Sequence, residues 1–271
     1  MKATAGALLP GAVLLGALLF PIYWMLTASL TPESQLFEPR ALVPATLTLA
    51  HYRALFDERG FLIPIRNSLV VAGLTTMIVV PVAALCAYAL ARLRMRGKGL
   101  FLAFILAVSM FPQISIVPPL YLILRELRLL NTYPGLVLPY LTFSMPLAVW
   151  LLTGFFRQLP RDLEEAAMLD GAARLRALRD VVLPLAAPGV ATTAILTFLY
   201  CWNEFLFALS FTLGPERYTV PVAITLFRGR YQVPWGEVLA AAVLATIPVA
   251  LIVLAFQRRI VAGLTAGATK G

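Results

Sequence analysis

Long apolar stretches alternate with short polar breaks along the whole chain, and stretch length is the first structural signal. A helix needs about 20 predominantly apolar residues to cross the hydrocarbon layer of a membrane. Six stretches reach that length: 7–30, 68–91, 100–124, 133–156, 185–211 and 238–256. The pattern predicts an all-α polytopic membrane protein. It has six transmembrane helices in one domain over 1–271, interrupted by an inner loop at 157–184. The first stretch is too long for a secretory signal and carries no small-x-small cleavage pattern, so it is expected to remain as an anchor.

Composition agrees with the pattern. Of 271 residues, 61% are hydrophobic and 13% charged, against about 25% charged in a soluble domain. The 20 prolines and 17 glycines suit spans in lipid, which tolerate both better than soluble helices do. The net charge of +9 gives direction, because Lys and Arg concentrate on the cytoplasmic side. With the N-terminus inside, the inner segments hold Lys2; Arg92, Arg94, Arg96 and Lys98; Arg157, Arg161, Arg174, Arg176 and Arg179; and Arg258, Arg259 and Lys270. These are more than half of the 22 basic residues, although the outer segments are longer in total. Both termini are therefore expected in the cytoplasm. The excess charge reports orientation and implies no nucleic-acid partner.

Three connecting segments are long. The outer segment 31–67 contains Pro32, Pro39 and Pro44, with a short helix expected near LTLAHYRALF. The outer segment 212–237 is aromatic and dotted with proline. Its Tyr231-Gln232-Val233-Pro234-Trp235-Gly236 reads either as a docking or gating surface or as an interfacial aromatic belt.

The inner loop 157–184 reads EEAAMLDGAARLRALRDVVLP over its second part. Asp162 is placed to cap a helix, with Glu165 three residues on as in a capping box. The helix would run over 163–169, with Leu163, Ala166, Ala167 and Asp170 on one face. Two alanines make that face shallow enough to enter a groove, and Gly171 can end the helix in a left-handed conformation. A second helix is expected to align Leu175, Leu178 and Val182. The residues alone fit two readings: a docking surface, or a helix lying on the membrane surface with no protein partner.

The spacing of Glu165-Ala166-Ala167, Asp170-Gly171-Ala172 and Leu183-Pro184 resembles the EAA loop of ABC importer permeases. Val181 stands where many members carry isoleucine. The resemblance extends over nearly the whole chain, through AHYRALF (50–56), RNSLVVA (66–72), AYALARLRMRGKG (87–99), MFPQISIVPPLYLI (110–123) and QRRIVAGLTAGATKG (257–271). It is similar to the second permease subunit of the carbohydrate-uptake, maltose/trehalose-type class.

The resemblance implies a bacterial or archaeal inner-membrane subunit that pairs with a second permease as a heterodimer. It also implies a dimeric ATPase and an extracytoplasmic sugar-binding protein. Glu165, Ala166, Ala167, Asp170 and Gly171 would carry docking to the ATPase, and the C-terminal tail would add a contact. The chain has no GxxxxGK[ST] phosphate loop, so ATP and Mg2+ are expected in the partner and no cofactor in this chain. The sugar implied is an α-linked disaccharide such as trehalose or maltose.

Within the fifth stretch, Tyr200-Cys201-Trp202-Asn203-Glu204-Phe205 holds the clearest carboxylate inside a span, and an ionisable group there needs a reason. Trp202 offers a face for a sugar ring, while Asn203 and Glu204 can bond sugar hydroxyls or bond across helices. Tyr140, Phe143 and Ser144 in the fourth stretch are further pathway candidates. A secondary transporter or channel is the competing reading, but such carriers usually show repeats and several intramembrane polar sites. Enzyme chemistry has no constellation to rest on. His51 is the only histidine, and Cys86 and Cys201 stand singly in apolar runs, which suits packing and not a metal site.

Overall fold

The computed structural model describes residues 3–38, 46–227 and 233–266, with side chains described over 10–38, 46–227 and 233–257. Among these residues all regular structure is helical. In chain order the elements are α1 (Ala3–Ser29), a 3-10 turn (Glu33–Gln35), α2 (Ala50–Asp57), α3 (Leu62–Arg92) and α4 (Lys98–Ser109). Next come α5 (Gln113–Glu126), α6 (Tyr133–Gln158), α7 (Asp162–Leu169), α8 (Arg174–Ala177), a π-turn (Leu178–Val182) and α9 (Leu183–Leu185). The last are α10 (Ala187–Trp202), α11 (Leu206–Phe211), α12 (Val220–Thr225) and α13 (Trp235–Ala266).

Four helices are long and apolar enough to cross a membrane alone: Pro10–Ser29, Leu62–Arg92, Tyr133–Gln158 and Trp235–Gln257. The count reaches six if each of two bent pairs is one span. The predicted straight stretch 100–124 is one of these, because α4 and α5 meet at 85°. Pro112 causes the break: it lacks an N–H, and it disfavours helical geometry at Phe111 before it. Met110 and Phe111 close α4 with tight bonds to Ala107 O (3.1 Å) and Val108 O (3.2 Å).

The stretch 185–211 is also not one helix. Arg174–Leu185 meets α10 at 82°, where Pro184 and Pro188 flank the turn. α10 then ends at Trp202, before α11 begins.

The described chain divides into two compact units. One comprises Pro64–Pro221 and Val249–Gly271. Its core joins Val79, Ala83, Ala87 and Leu90 of α3 to Ala148, Leu152 and Phe156 of α6, with Leu178 and Val182 of the π-turn and Ala186 inserted between them. α6 also packs on α10, where Gly189 permits the contact. A Cβ there would stand 2.4 Å from the ring of Phe155.

At the opposite end of α3, fully buried Asn67 gathers a turn before α12. Its Nδ2 donates to Glu216 O and Tyr218 O, both at 3.0 Å, and its Oδ1 accepts from the Tyr133 hydroxyl at 2.7 Å. Val220 N donates to the hydroxyl of neighbouring Ser68 at 2.8 Å.

The other unit comprises Met1–Ile63 and Val222–Pro248. Here Glu33 accepts from Trp235 N (3.1 Å) and Gly236 N (2.9 Å), satisfying free donors at the start of α13. His51 bonds Thr31 O at 2.9 Å and lies against Gly236. The sole histidine therefore has a packing role. Most described side chains of α1 are apolar and exposed, as expected of a helix whose surroundings are lipid or another membrane subunit.

Candidate coupling loop and pathway break

The inner loop is built from two dissimilar halves. α7 starts at Asp162, one residue earlier than the sequence suggests. Arg161 flanks it, and no side chain caps it. The expected Asp162 cap is therefore absent: Asp162 lies inside the first turn with Glu164 and Glu165. There the three acids act through charge, because negative groups near a helix N-terminus favour the dipole.

Consecutive residues on a helix point about 100° apart, so the paired glutamates diverge. Glu165 is exposed, while Glu164 is 6% exposed and is the only buried residue of α7. Tyr88 donates its hydroxyl to Glu164 Oε1. Arg92 Nε stands 3.0 Å from Glu164 Oε2, an ion pair whose N–H lies off the line of contact. The Arg92 Nη2 donates to Leu159 O at 3.1 Å. One arginine at the end of α3 thus holds both α7 and the connection leading into it.

The face expected to dock is open. Leu163, Glu165, Ala166, Asp170 and Gly171 are exposed, and Ala167 is half-buried. Gly171, with φ of +90°, closes α7 as the sequence suggests. Gly171 N donates to Met168 O (3.1 Å) and Ala172 N to Ala167 O (3.0 Å). This paired arrangement requires a left-handed residue just past the helix. A Cβ on Gly171 would meet nothing in this chain within 4 Å.

The second half differs from expectation. Leu175 is 68% exposed, whereas Leu178 and Val182 are buried, so the three do not form one stripe. The buried side is formed by Ala177, Leu178 and Val182, the last two in the π-turn, while Leu175 in the preceding α8 faces outward. A cavity of about 490 Å3 opens between α7 and the end of α3, with Arg92, Arg94, Arg161 and Arg174 lining it beside Glu164 and Glu165.

The six pathway candidates lie close together around the end of α10, and most are covered within this chain. Trp202 is 3% exposed and stacks on Phe198 with ring centroids 5.9 Å apart. Tyr140, Phe143 and Ser144 are buried on α6; Phe143 packs on Phe207 at 5.2 Å, and Ser144 donates to Tyr140 O. Glu204 is buried in the break and accepts from Phe207 N (2.8 Å) and Ala208 N (3.1 Å). It caps the short α11 and allows the chain to break inside a span without orphaned N–H groups. Asn203 alone of these residues is exposed, and its Nδ2 donates to Leu199 O at 2.8 Å.

Tyr231 and Gln232, and the side chains of the tail from 258, lie outside the described residues. The proposals attached to them find no geometry here. The sequence reading missed Tyr88 and Arg92. The doubled glutamate was the available signal, since adjacent carboxylates on one helix cannot serve the same face.

A broken six-stretch helical chain with a glycine-closed inner loop defines a membrane subunit of the importer type. The chain belongs to the family described as binding-protein-dependent transport system inner membrane component, whose model matches residues 79–265.

Its relatives place it among carbohydrate ABC importer permeases, which are transport subunits and not enzymes. It is 46% identical to the trehalose transport system permease protein SugB of Mycobacterium tuberculosis (strain CDC 1551 / Oshkosh), over 100% of this chain and 98% of that one. It is 43% identical to the trehalose/maltose transport system permease protein MalG of Thermococcus litoralis, over 97% and 96%. It is 45% identical to the sulfoquinovosyl glycerol transport system permease protein SmoH of Agrobacterium fabrum, over 93% and 89%.

In fold it resembles a chain from a bacterial ABC transporter involved in import of the acidic polysaccharide alginate. The TM-score is 0.76 with 24% identity, covering 95% of each chain. A second alginate transporter structure, in complex with its alginate pentasaccharide-bound periplasmic protein, matches with a TM-score of 0.68 and 17% identity.

Proposed function

We propose that this permease pairs with a second permease to form the path for an α-linked disaccharide, trehalose or maltose. Movement would be driven through α7 by a separate dimeric ATPase that holds ATP and Mg2+. The exposed, shallow face of α7 carries this reading. Glu165, Ala166, Asp170 and Gly171 are exposed among the described residues and, with half-buried Ala167, form a knob. The inner loop and both termini would face the cytoplasm, while the outer segments meet a sugar-binding protein.

The disaccharide is supported by the trehalose and trehalose/maltose relatives. The sulfoquinovosyl glycerol relative at similar identity is the rival substrate. Within the path, Asn203 would meet sugar, with Trp202, Glu204, Tyr140, Phe143 and Ser144 shaping the wall behind it.

The docking role is tested by Gly171→Trp against Gly171→Asn. Asparagine accepts a positive φ far better than tryptophan does, and a Cβ at this position meets no described atom within 4 Å. Gly171→Trp should release the ATPase from the purified complex or abolish uptake, while Gly171→Asn retains both. Normal coupled uptake by Gly171→Trp would exclude docking at α7. Titrating the purified binding protein with trehalose, maltose and sulfoquinovosyl glycerol decides the substrate.

A further inference from the structure

We propose that Glu164, with Arg92 and Tyr88, is the positioning element that transmits movement of α7 to the membrane helix α3. The inference rests on the reading that α7 docks an ATPase, and it assigns a separate step to a residue outside the docking face.

The two halves of the inner loop are fastened differently. Leu178 and Val182 sit in the same apolar core as α3 and α6, so the second half is held by packing. α7 contributes only one buried side chain, and that side chain is a carboxylate. Its grip on α3 is therefore polar and directional: the Tyr88 hydroxyl on one oxygen, Arg92 on the other. Tyr88 and Arg92 are four residues apart, so they stand on one face of α3 and hold the carboxylate from two sides. Arg92 also holds Leu159 O, at the hinge between α6 and α7.

A rotation of α7 must then either carry the end of α3 with it or separate a buried ion pair. Separation breaks a largely desolvated pair, its side chains 5% and 8% exposed, at the wall of the arginine-lined cavity, and this opposes slippage. Apolar contacts, by contrast, are non-directional and can slide. A polar tether at this point makes α7 and α3 move as one lever.

The test uses the complete transporter in proteoliposomes, with trehalose or maltose as probe, whichever the wild-type complex takes up. Glu164→Gln keeps the shape and an acceptor for Tyr88 but removes the charge. The ATPase should co-purify in wild-type amount, while sugar moved per ATP falls about 10-fold, within the range of coupling free energies between sites. Reversing the pair, Arg92→Glu with Glu164→Arg, should recover part of that loss, as expected of contacting residues. Unchanged sugar per ATP in Glu164→Gln would overturn the proposal. Loss of the ATPase from the complex would also overturn it, because Glu164 would then belong to the docking surface. If Glu164→Gln does not insert, Tyr88→Phe removes a single hydroxyl and is read by the same two measurements. Failure of Gly171→Trp to affect docking would remove the underlying reading instead, so the two outcomes are separable.

Discussion

Two glutamates are buried in the larger unit, and they are satisfied in opposite ways. Glu204 bonds backbone three and four residues ahead, at Phe207 and Ala208. These backbone partners are local and cap α11 where the helix breaks, while the Tyr140 hydroxyl of α6 also faces the carboxylate. Glu164 bonds side chains more than 70 positions away in the chain, on α3. Its work is to join elements. A buried carboxylate in a transport subunit is readily taken as a transport group, yet the hydrogen bonds that Glu204 accepts from backbone N–H groups stay within its own turn. The carboxylate that links moving parts is the one at the edge of the membrane.

This contrast predicts a graded series of effects. Arg92→Ala should be the most damaging, because it leaves Glu164 buried without its counter-charge, a loss of roughly 3–5 kcal/mol. Thermal unfolding of the purified complex should fall accordingly. A variant as stable as wild type would show that water reaches Glu164.

Trp202→Ala, beside Glu204, should cost about 3–5 kcal/mol through the cavity it opens. The amount of complex recovered should drop, while the KM for sugar in the surviving fraction stays near wild type. A raised KM at unchanged stability would make Trp202 a sugar contact.

Glu204→Ala removes two caps and the charge together, so it should cost only about 0.5–2 kcal/mol, the scale of a lost helix cap. Its uptake should remain measurable. Complete loss of uptake with intact folding would show that the carboxylate does more than cap.

The smallest effect is at the outer turn. The Asn131 side-chain amide donates to exposed Glu216, and with the adjacent backbone it holds that carboxyl below its ordinary value of 4.5. The contribution to stability is present above the ordinary value and fades as pH falls through the lowered one. In Asn131→Ala, Glu216 should titrate closer to 4.5, as read from its carboxyl carbon shift. An unchanged titration would assign the lowering to the backbone at Glu216 and to Arg217.

Much of the fold was legible because membrane burial leaves a one-dimensional record. Apolar length marked the regions of the long helices, and the chemistry of Gly171 foretold the end of α7. Direction was less legible. Apolar length carries no information on the axis, so the sharp turn at Pro112 and the break between α10 and α11 appeared as continuous spans, whereas the turn near Pro184 and Pro188 was expected from the prolines. The stripe drawn through Leu175 failed because spacing alone does not say which side of a helix meets the core: Leu178 and Val182 meet it and Leu175 does not. At the pathway, residue chemistry alone could not separate a cap from a ligand for Glu204, nor a packed ring from an open one for Trp202. Those distinctions depend on which neighbours cover the group.

The sequence by itself determined that this chain lives in a membrane, that its basic residues concentrate in alternate connecting segments, and that an alanine-rich, glycine-closed segment interrupts the apolar pattern in one of them. These are properties of composition and short-range spacing, which no folding is needed to read. Only the tertiary structure decided that Glu165 looks outward while its neighbour Glu164 is buried on Tyr88 and Arg92. A helix turns adjacent residues toward different surroundings, and the identity of those surroundings depends on elements far away in the chain.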